Sequence, residues 1–247
     1  MAKLYLRSAK SSQGLGILAQ HLMELGHEIV SQNMAQGTVC WGMSTQTGPS
    51  LNGNVNKYDK HAVFHKFYEA GVLCPVTFSI AEGLHRLDPP LPWLARRNHH
   101  MKGKDIRVCR TPAAVLGTYN NQRHDFFSVF IPTKTEYRAW VWRKRLLTVY
   151  EKVWKGEGEF VGYIRNHRFG FQFQKREELR EDPRFVEPCV NAVKALELDF
   201  GAVDLLEGKD GKFYVLEVNS TPAIDSPERS TGIRLARAIS RWAEDKL

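Results

Sequence analysis

The run "VLEVNSTPAI", Val215 to Ile224, sets a carboxylate and an amide two residues apart and then stops at a proline. Side chains alternate along a strand, so Glu217 and Asn219 share one face while Leu216 and Val218 take the other. The longer stretch "FGAVDLLEGKDGKFYVLEVN" (200–219) reads as a hairpin turning near Lys209–Asp210. With a symmetrical register, Asp204 sits across from Val215, on the face that carries Glu217 and Asn219. One Asp, one Glu and one Asn then converge as oxygen donors. Magnesium takes oxygen ligands in an octahedral shell, often one or two carboxylates completed by phosphates and water. The pattern therefore points to Asp204, Glu217 and Asn219 holding one or two magnesium ions, with manganese as an alternative, against a nucleoside triphosphate. A metal-free polar hairpin face is the competing reading.

The elements that would position this hairpin can be followed along the chain. "KLYLRS" (3–8) reads as a strand, "GILAQHLMELG" (16–26) as an amphipathic helix closed by Gly26, and "HEIV" (27–30) and "TVCW" (38–41) as further strands. Together they make a small βαβ-like start. The "GLG" at 14–16 lacks the third glycine of a dinucleotide fingerprint and reads as a strand-to-helix turn. "STQTGPSLNGNVN" (44–56) reads as a turn-rich connector and boundary. "KYDKHAVFHKFYEAG" (57–71) has helical periodicity with Gly71 as its stop. "CPVTFSI" is a strand, "WLARRNHHMKGKDIRVCR" (93–110) a strand–loop–strand unit, and "DFFSVFI" (125–131) a third strand. "EYRAWVWRKRLLTVYEKVW" (136–154) reads as a hairpin turning near Arg143–Arg145, followed by an irregular basic stretch (155–176). A helix over "FVEPCVNAVKALEL" and a last helix from about 230 to 244 flank the second hairpin. Mixed helices and strands with antiparallel hairpins in the second half predict an α+β fold.

Composition narrows the function classes. At 247 residues, 43% hydrophobic and 25% charged, the chain is an ordinary globular sequence. No apolar stretch approaches the about 20 residues of a membrane span, and the N-terminus lacks a secretory h-region. Cys40, Cys74, Cys109 and Cys189 have no C-x-x-C spacing, so reduced, mostly buried thiols in a cytoplasmic protein are expected, without disulfides or zinc. The net charge of +8 suits an anionic partner: nucleotide phosphates, nucleic acid or an acidic protein. A solvated basic surface is the plainer account of much of it.

Taken with the hairpin, these motifs resemble the ATP-grasp superfamily, most closely its carboxylate–amine ligases, such as ribosomal-protein glutamate ligases and glutathione synthetases. "LDFGAVDLLEGKDGKFYVLEVNSTPAI" is similar to that family's metal-binding end. "NKYDKHAVFHKFYEAGVLCPVT" resembles its D-K helix and following strand. "WLARRNHHMKGKDI" resembles its phosphate loop, "FFSVFIPTKTEYRAWVW" its nucleotide hinge and acidic-x-Arg strand, and "GEFVGYIRNHRFG" its Arg-Asn segment. The motifs run in the family's order over about residues 55–225.

The resemblance implies an ATP-grasp fold, two α+β lobes gripping ATP, with a short N-terminal α/β lobe at 1–55. The grasp domain would span 56–247, with a central lid lobe at about 75–130 and a C-terminal lobe at about 131–247. It implies that Lys60 and Arg96 contact the triphosphate, Arg96 standing where the family usually has lysine. Lys102 and Lys104, with His99 and His100, would close over the phosphates; two adjacent histidines without a third spaced ligand are a weak zinc pattern. Val129, Phe130 and Ile131 would line the adenine hinge, and Glu136 and Lys152 would support the nucleotide. Arg138, Arg165 and Asn166 would act at the reacting groups. The implied reaction joins a carboxylate to an amine through an acyl phosphate, releasing ADP and phosphate, with an amino acid, peptide or protein as acceptor.

Two other readings stand beside this one. An ATP-grasp phosphotransferase with a hydroxyl acceptor would share the fold, because function lies in the acceptor site. A nucleic-acid-binding module would use the +8 charge and the aromatics Trp140, Trp142, Phe169, Phe171 and Phe173, although strand alternation against a core explains those equally well. No membrane partner is expected, and the sequence names neither the acid nor the amine, nor an oligomeric state.

Overall fold

The computed structural model describes residues 1–8, 13–45, 48–54, 58–86, 88, 90–99, 105–158, 160, 162–165, 167–224 and 229–247. Three sheets organise them. The first is built from β1 (Lys3–Ser8), β2 (Glu28–Ile29), β3 (Gly37–Trp41) and β4 (Ser50–Leu51), in the order β2-β1-β3-β4 with every pairing parallel. Helix α1 (Gln13–Glu24) follows β1 and buries Leu18 and Leu22 one turn apart. All five residues of β3 are buried, the pattern of a parallel strand covered on both faces. The stretch 44–56, expected to be a connector, contributes β4 to this sheet.

Helix α2 (Lys60–Glu69) begins at Asp59, whose Oδ1 accepts from the Ala62 amide at 2.7 Å, and it ends before Gly71 at φ +68°. Next come β5 (Thr77–Ser79), α3 (Ile80–Gly83), β6 (Trp93–Arg96), β7 (Arg107–Cys109), α4 (Pro112–Asn121) and β8 (Phe126–Val129). The strands form an antiparallel sheet in the order β5-β8-β6-β7, packed through Phe78, Trp93 and Phe127. Sequence reading missed α4. Its signal was present: Thr111 accepts from the Ala114 amide as N-cap, and Pro112 occupies the first turn.

The third sheet is antiparallel throughout: β11-β10-β9-β12-β13. Its strands are β9 (Thr133–Trp142), β10 (Arg145–Trp154), β11 (Phe171–Lys175), β12 (Phe200–Gly208) and β13 (Phe213–Asn219). Helix α5 (Pro183–Ala195) packs Phe185, Cys189 and Val193 against one face, with Ala139, Val141, Val149, Val203 and Leu205. On the other face Trp140, Trp142, Tyr150 and Phe200 meet α6 (Arg229–Lys246) and the N-terminal sheet. Strand β11 lies inside the stretch expected to be irregular, where "FQFQK" carried an overlooked period of two. Trp140 is fully buried and Trp142 and Phe171 nearly so, so their rings belong to the core and are not free to stack on bases. All four cysteines are buried and free of disulfides, and no helix among the described residues is long and apolar enough to cross a membrane.

The chain after β13 is pinned, which fixes the strand before it. Ile224 is fully buried between α1 and α6. Its backbone nitrogen would lie 3.0 Å from a Cβ on Gly14, and its own Cβ 3.7 Å from one on Gly232. Glycine at these two helical positions permits the approach, so Pro222–Ile224 anchors the end that carries Glu217 and Asn219.

Candidate active site

Register alone lines up a row of charges across three strands. Asp204 on β12 is paired with Arg138 on β9 and, on its other side, with Glu217 on β13. Directly opposed residues share a sheet face. The expected symmetrical register, with Asp204 across from Val215, is corrected by a bulge. Leu205 pairs with Val215 and Asp204 with Glu217, so Leu216 is the extra residue. The slip brings the two carboxylates face to face. Asn219 lies two residues on, opposite Ala202.

The side chains form a connected network. Arg138 grips Asp204 with both arms, Nε to Oδ1 at 2.8 Å and a terminal nitrogen to Oδ2 at 3.0 Å. Lys152 on β10 lies 3.0 Å from Glu136 and 3.9 Å from Asp204 Oδ2. From α2, Lys60 reaches Glu217 at 3.7 Å. Burial alone would raise the Asp204 carboxyl, but Arg138 and Lys152 outweigh it and bring it down to about 2. Burial likewise opposes the Lys152 charge, and Asp204 and Glu136 overcome it, leaving the ammonium raised. Lys60 is lowered, chiefly by burial, with Glu217 working the other way.

Arg96, at the end of β6, completes the upper wall. Its guanidinium lies 5.7 Å from the rings of Phe64 and Phe126. Its Nε is buried and has no hydrogen-bond partner among the described residues. Burial disfavours its charge and Glu217 supports it. A half-buried guanidinium with a buried, unanswered Nε donor beside a carboxylate-lined floor is suited to an incoming phosphate oxygen.

Several expected residues sit elsewhere or are already engaged. Arg165 is not drawn into the charged row: it donates to the Thr133 and Lys134 carbonyls at 3.2 and 3.1 Å and lies 5.8 Å from the Phe171 ring. The Val129 and Phe130 amides donate to the Val76 and Pro92 carbonyls at 2.9 and 3.1 Å. The apolar surface of the hinge remains, with Val129, Phe130 and Ile131 half-buried and Phe130 packed on Tyr163 at 4.8 Å. Asn219 Oδ1 accepts from the Thr221 amide at 3.3 Å and its hydroxyl at 3.4 Å. Lys102, Lys104, His100 and Asn166 lie outside the described residues. Sequence reading overlooked His61, stacked on Phe126 at 5.0 Å, and considered Phe173 only as a base-stacking aromatic, whereas its ring lies 5.0 Å from the Arg138 guanidinium. Adjacency to Lys60 and the Phe–Gln alternation were their signals.

No group of three His, Cys, Asp or Glu side chains suited to a metal occurs among the described residues. Two facing carboxylates and an amide oxygen are what is offered. That set fits a hard cation whose shell is completed by substrate oxygens and water, as magnesium's is. The Asp204 shift also has a consequence for stability. Because its folded value lies below the unfolded value, its contribution is present above about pH 4 and fades as pH falls toward 2. Asp204→Asn should therefore cost at most about 2 kcal/mol from this source at pH 7, and less at pH 3. Urea midpoints of both proteins across that range check it; a pH-independent gap would contradict the ion pairing.

Comparison with known proteins bears on the fold. The family described as RimK-like ATP-grasp domain matches residues 157–243. A protein named probable alpha-L-glutamate ligase from Picosynechococcus sp. is 35% identical over 88 residues, 36% of this chain and 27% of that one. The match thus spans little more than a quarter of that relative's length. Among solved structures, the ATP-grasp ligase PsnB complexed with precursor peptide PsnA2 and AMPPNP superposes with a TM-score of 0.73 at 11% identity, covering 98% of each chain. D-alanine–D-alanine ligase from Bacillus anthracis superposes with a TM-score of 0.67 at 14% identity over the whole of both chains. At these identities the likeness is one of fold.

Proposed function

We propose that this chain, which has the ATP-grasp fold and a RimK-like ATP-grasp segment at residues 157–243, is an ATP- and magnesium-dependent ligase joining a carboxylate to an amine. The observation that carries the reading is the facing pair Asp204 and Glu217, flanked by Arg138, Lys152 and Lys60. Asp204, Glu217 and Asn219 would hold one or two ions. A bound magnesium would neutralise phosphate charge and polarise the phosphoryl group. A carboxylate has about four acceptor sites, so Asp204 can serve a cation and the Arg138 fork together.

In this scheme an oxygen of the acid substrate attacks the γ-phosphorus, and the bond to the ADP oxygen breaks. The acyl phosphate is then attacked at carbon by an amine, which loses a proton as phosphate departs. Lys60 and Arg96 would steady the triphosphate, with Lys102 and Lys104 above it. Arg138 would meet negative charge on the transferring phosphoryl group and on the tetrahedral intermediate. Lys152, locked between Glu136 and Asp204, would keep that row in register. The adenine would lie on Val129, Phe130 and Ile131. Arg165 would reach the reacting groups only by leaving the Thr133 and Lys134 carbonyls; with Asn166 it would then act at the acyl phosphate. The lobes would be 1–55 and 56–247, the latter divided near 130. The acceptor would be an amino acid, peptide or protein, and four buried thiols without disulfides support a cytoplasmic setting.

Hydroxylamine trapping tests the chemistry. The protein, ATP, magnesium and a pool of amino acids and acidic peptides are incubated with hydroxylamine, and Glu217→Ala serves as the blank. A hydroxamate seen only with the intact protein supports the acyl phosphate and names the acid by its mass. A phosphorylated product without hydroxamate would replace the ligase reading with a phosphotransferase.

A further inference from the structure

Away from the charged row, a groove of about 270 Å³ lies between the start of β10 and α6. It is walled by Arg145, Arg180, Arg234, Arg237 and Arg241. Along β10 it is separated from Lys152 by roughly 20 Å at strand spacing. Arg234, Arg237 and Arg241 recur at helical spacing, so α6 presents them as one stripe.

Two of the arginines are braced and three are not. Glu177 accepts from Arg180 and Arg234, both at 2.9 Å. The same two arginines donate to the Leu146 and Leu147 carbonyls at 3.3 and 2.6 Å. Arg145, Arg237 and Arg241 are exposed, and among the described residues their side chains make no ion pair or hydrogen bond. A like-charged pair at Arg237 and Arg241, four apart on a helix, destabilises the free protein. An anion entering the groove removes that repulsion, and braced guanidinium forks meet a carboxylate at little ordering cost.

We propose that this arginine-walled groove is a docking site for an acidic peptide segment, separate from the nucleotide site. The chemistry favours a peptide over a nucleic acid. Among the described residues no aromatic side chain lines the groove, so it offers no platform for stacking bases. A duplex presents its phosphates on a convex cylinder, which a concavity of this size does not admit. Planar forks on two facing elements suit carboxylates spaced along an extended chain. The site recognises charge and spacing, and needs no ATP.

Fluorescence anisotropy tests the assignment without nucleotide present. The probes are a fluorescein-labelled oligoglutamate, an oligoglutamine of equal length and a single-stranded oligodeoxynucleotide of equal charge. The intact protein should bind oligoglutamate, and Arg237→Glu with Arg241→Glu should weaken that binding at least ~10-fold. Arg145→Glu, on a different element, should weaken it in the same direction, with melting curves of both variants confirming that they fold. Glu217→Ala should bind like the intact protein, which separates this site from the ligase reading. The assignment is overturned if charge reversal leaves affinity unchanged, if oligoglutamine binds equally well, if no probe binds, or if the oligonucleotide binds more tightly than oligoglutamate.

Discussion

Glu217→Ala is expected to remove magnesium-dependent nucleotide binding while leaving the fold standing. Its carboxylate is 44% exposed and its ion pair with Lys60 is 3.7 Å long. Pairs of that kind contribute about 0–1 kcal/mol, so the melting temperature without ligand should move little. Binding is another matter. Asp204 is already shared with Arg138 and Lys152, and Asn219 with Thr221, so Glu217 is the donor with most free capacity. Loss of an outer partner to a metal ligand costs about 10–100-fold, and loss of a direct donor should exceed this. A ligand at 100 times its Kd stabilises by about 2.7 kcal/mol, and the variant should lose almost all of that increment. Thermal shifts with a non-hydrolysable ATP analogue, with and without magnesium, provide the measurement. Glu217→Gln, which keeps the oxygen and drops the charge, should fall between the two. An unchanged magnesium-dependent shift in Glu217→Ala would take the metal away from this strand pair.

Why these donors could be read from sequence, and others not, is a matter of period. The period-two alternation of β13 put Glu217 and Asn219 on one face without any knowledge of the fold. Glycine and aspartate at the turn placed Asp204 on the partner strand. The bulge at Leu216 was not legible, because it depends on how two strands twist against their neighbours. It nevertheless changes Asp204 from a diagonal neighbour into a direct one. The engagement of Arg165 was hidden for a related reason: a motif gives residue type and order, but not whether backbone carbonyls nearby will claim the guanidinium first. Helix α4 and strand β11 carried local signals that were overlooked. The arginine groove joins residues 145–147, Arg180 and residues 234–241, far apart in the chain, and no window of sequence contains it.

Asn52 is the residue most hidden in the sequence and, in stability, the most consequential. It lies in a turn-rich stretch where an asparagine suggests a surface loop. In the folded protein it is fully buried, with φ at 53°, at the end of β4. Its Oδ1 accepts from the Asp199 and Phe200 amides at 2.7 and 3.1 Å, and its Nδ2 donates to the Phe200 carbonyl at 3.0 Å. The N-terminal sheet is thereby clamped to the start of β12, the strand that delivers Asp204. Asn52→Ala leaves two amide donors and a carbonyl without those partners. Each buried donor left unmade costs about 1–3 kcal/mol, and alanine at positive φ adds about 1 kcal/mol. The expected loss is about 3–7 kcal/mol, a large share of the ~5–15 kcal/mol of a typical domain. Only the bond from the Asn52 amide to Asp199, 2.8 Å long, survives the change. Urea unfolding can separate the two causes. Asn52→Gly relieves the backbone strain but not the lost bonds, so it should recover about 1 kcal/mol and no more. Full recovery in the glycine variant would mean that strain, and not the clamp, sets the loss. A loss below about 1 kcal/mol in the alanine variant would mean that water replaces the side chain at the joint between the sheets.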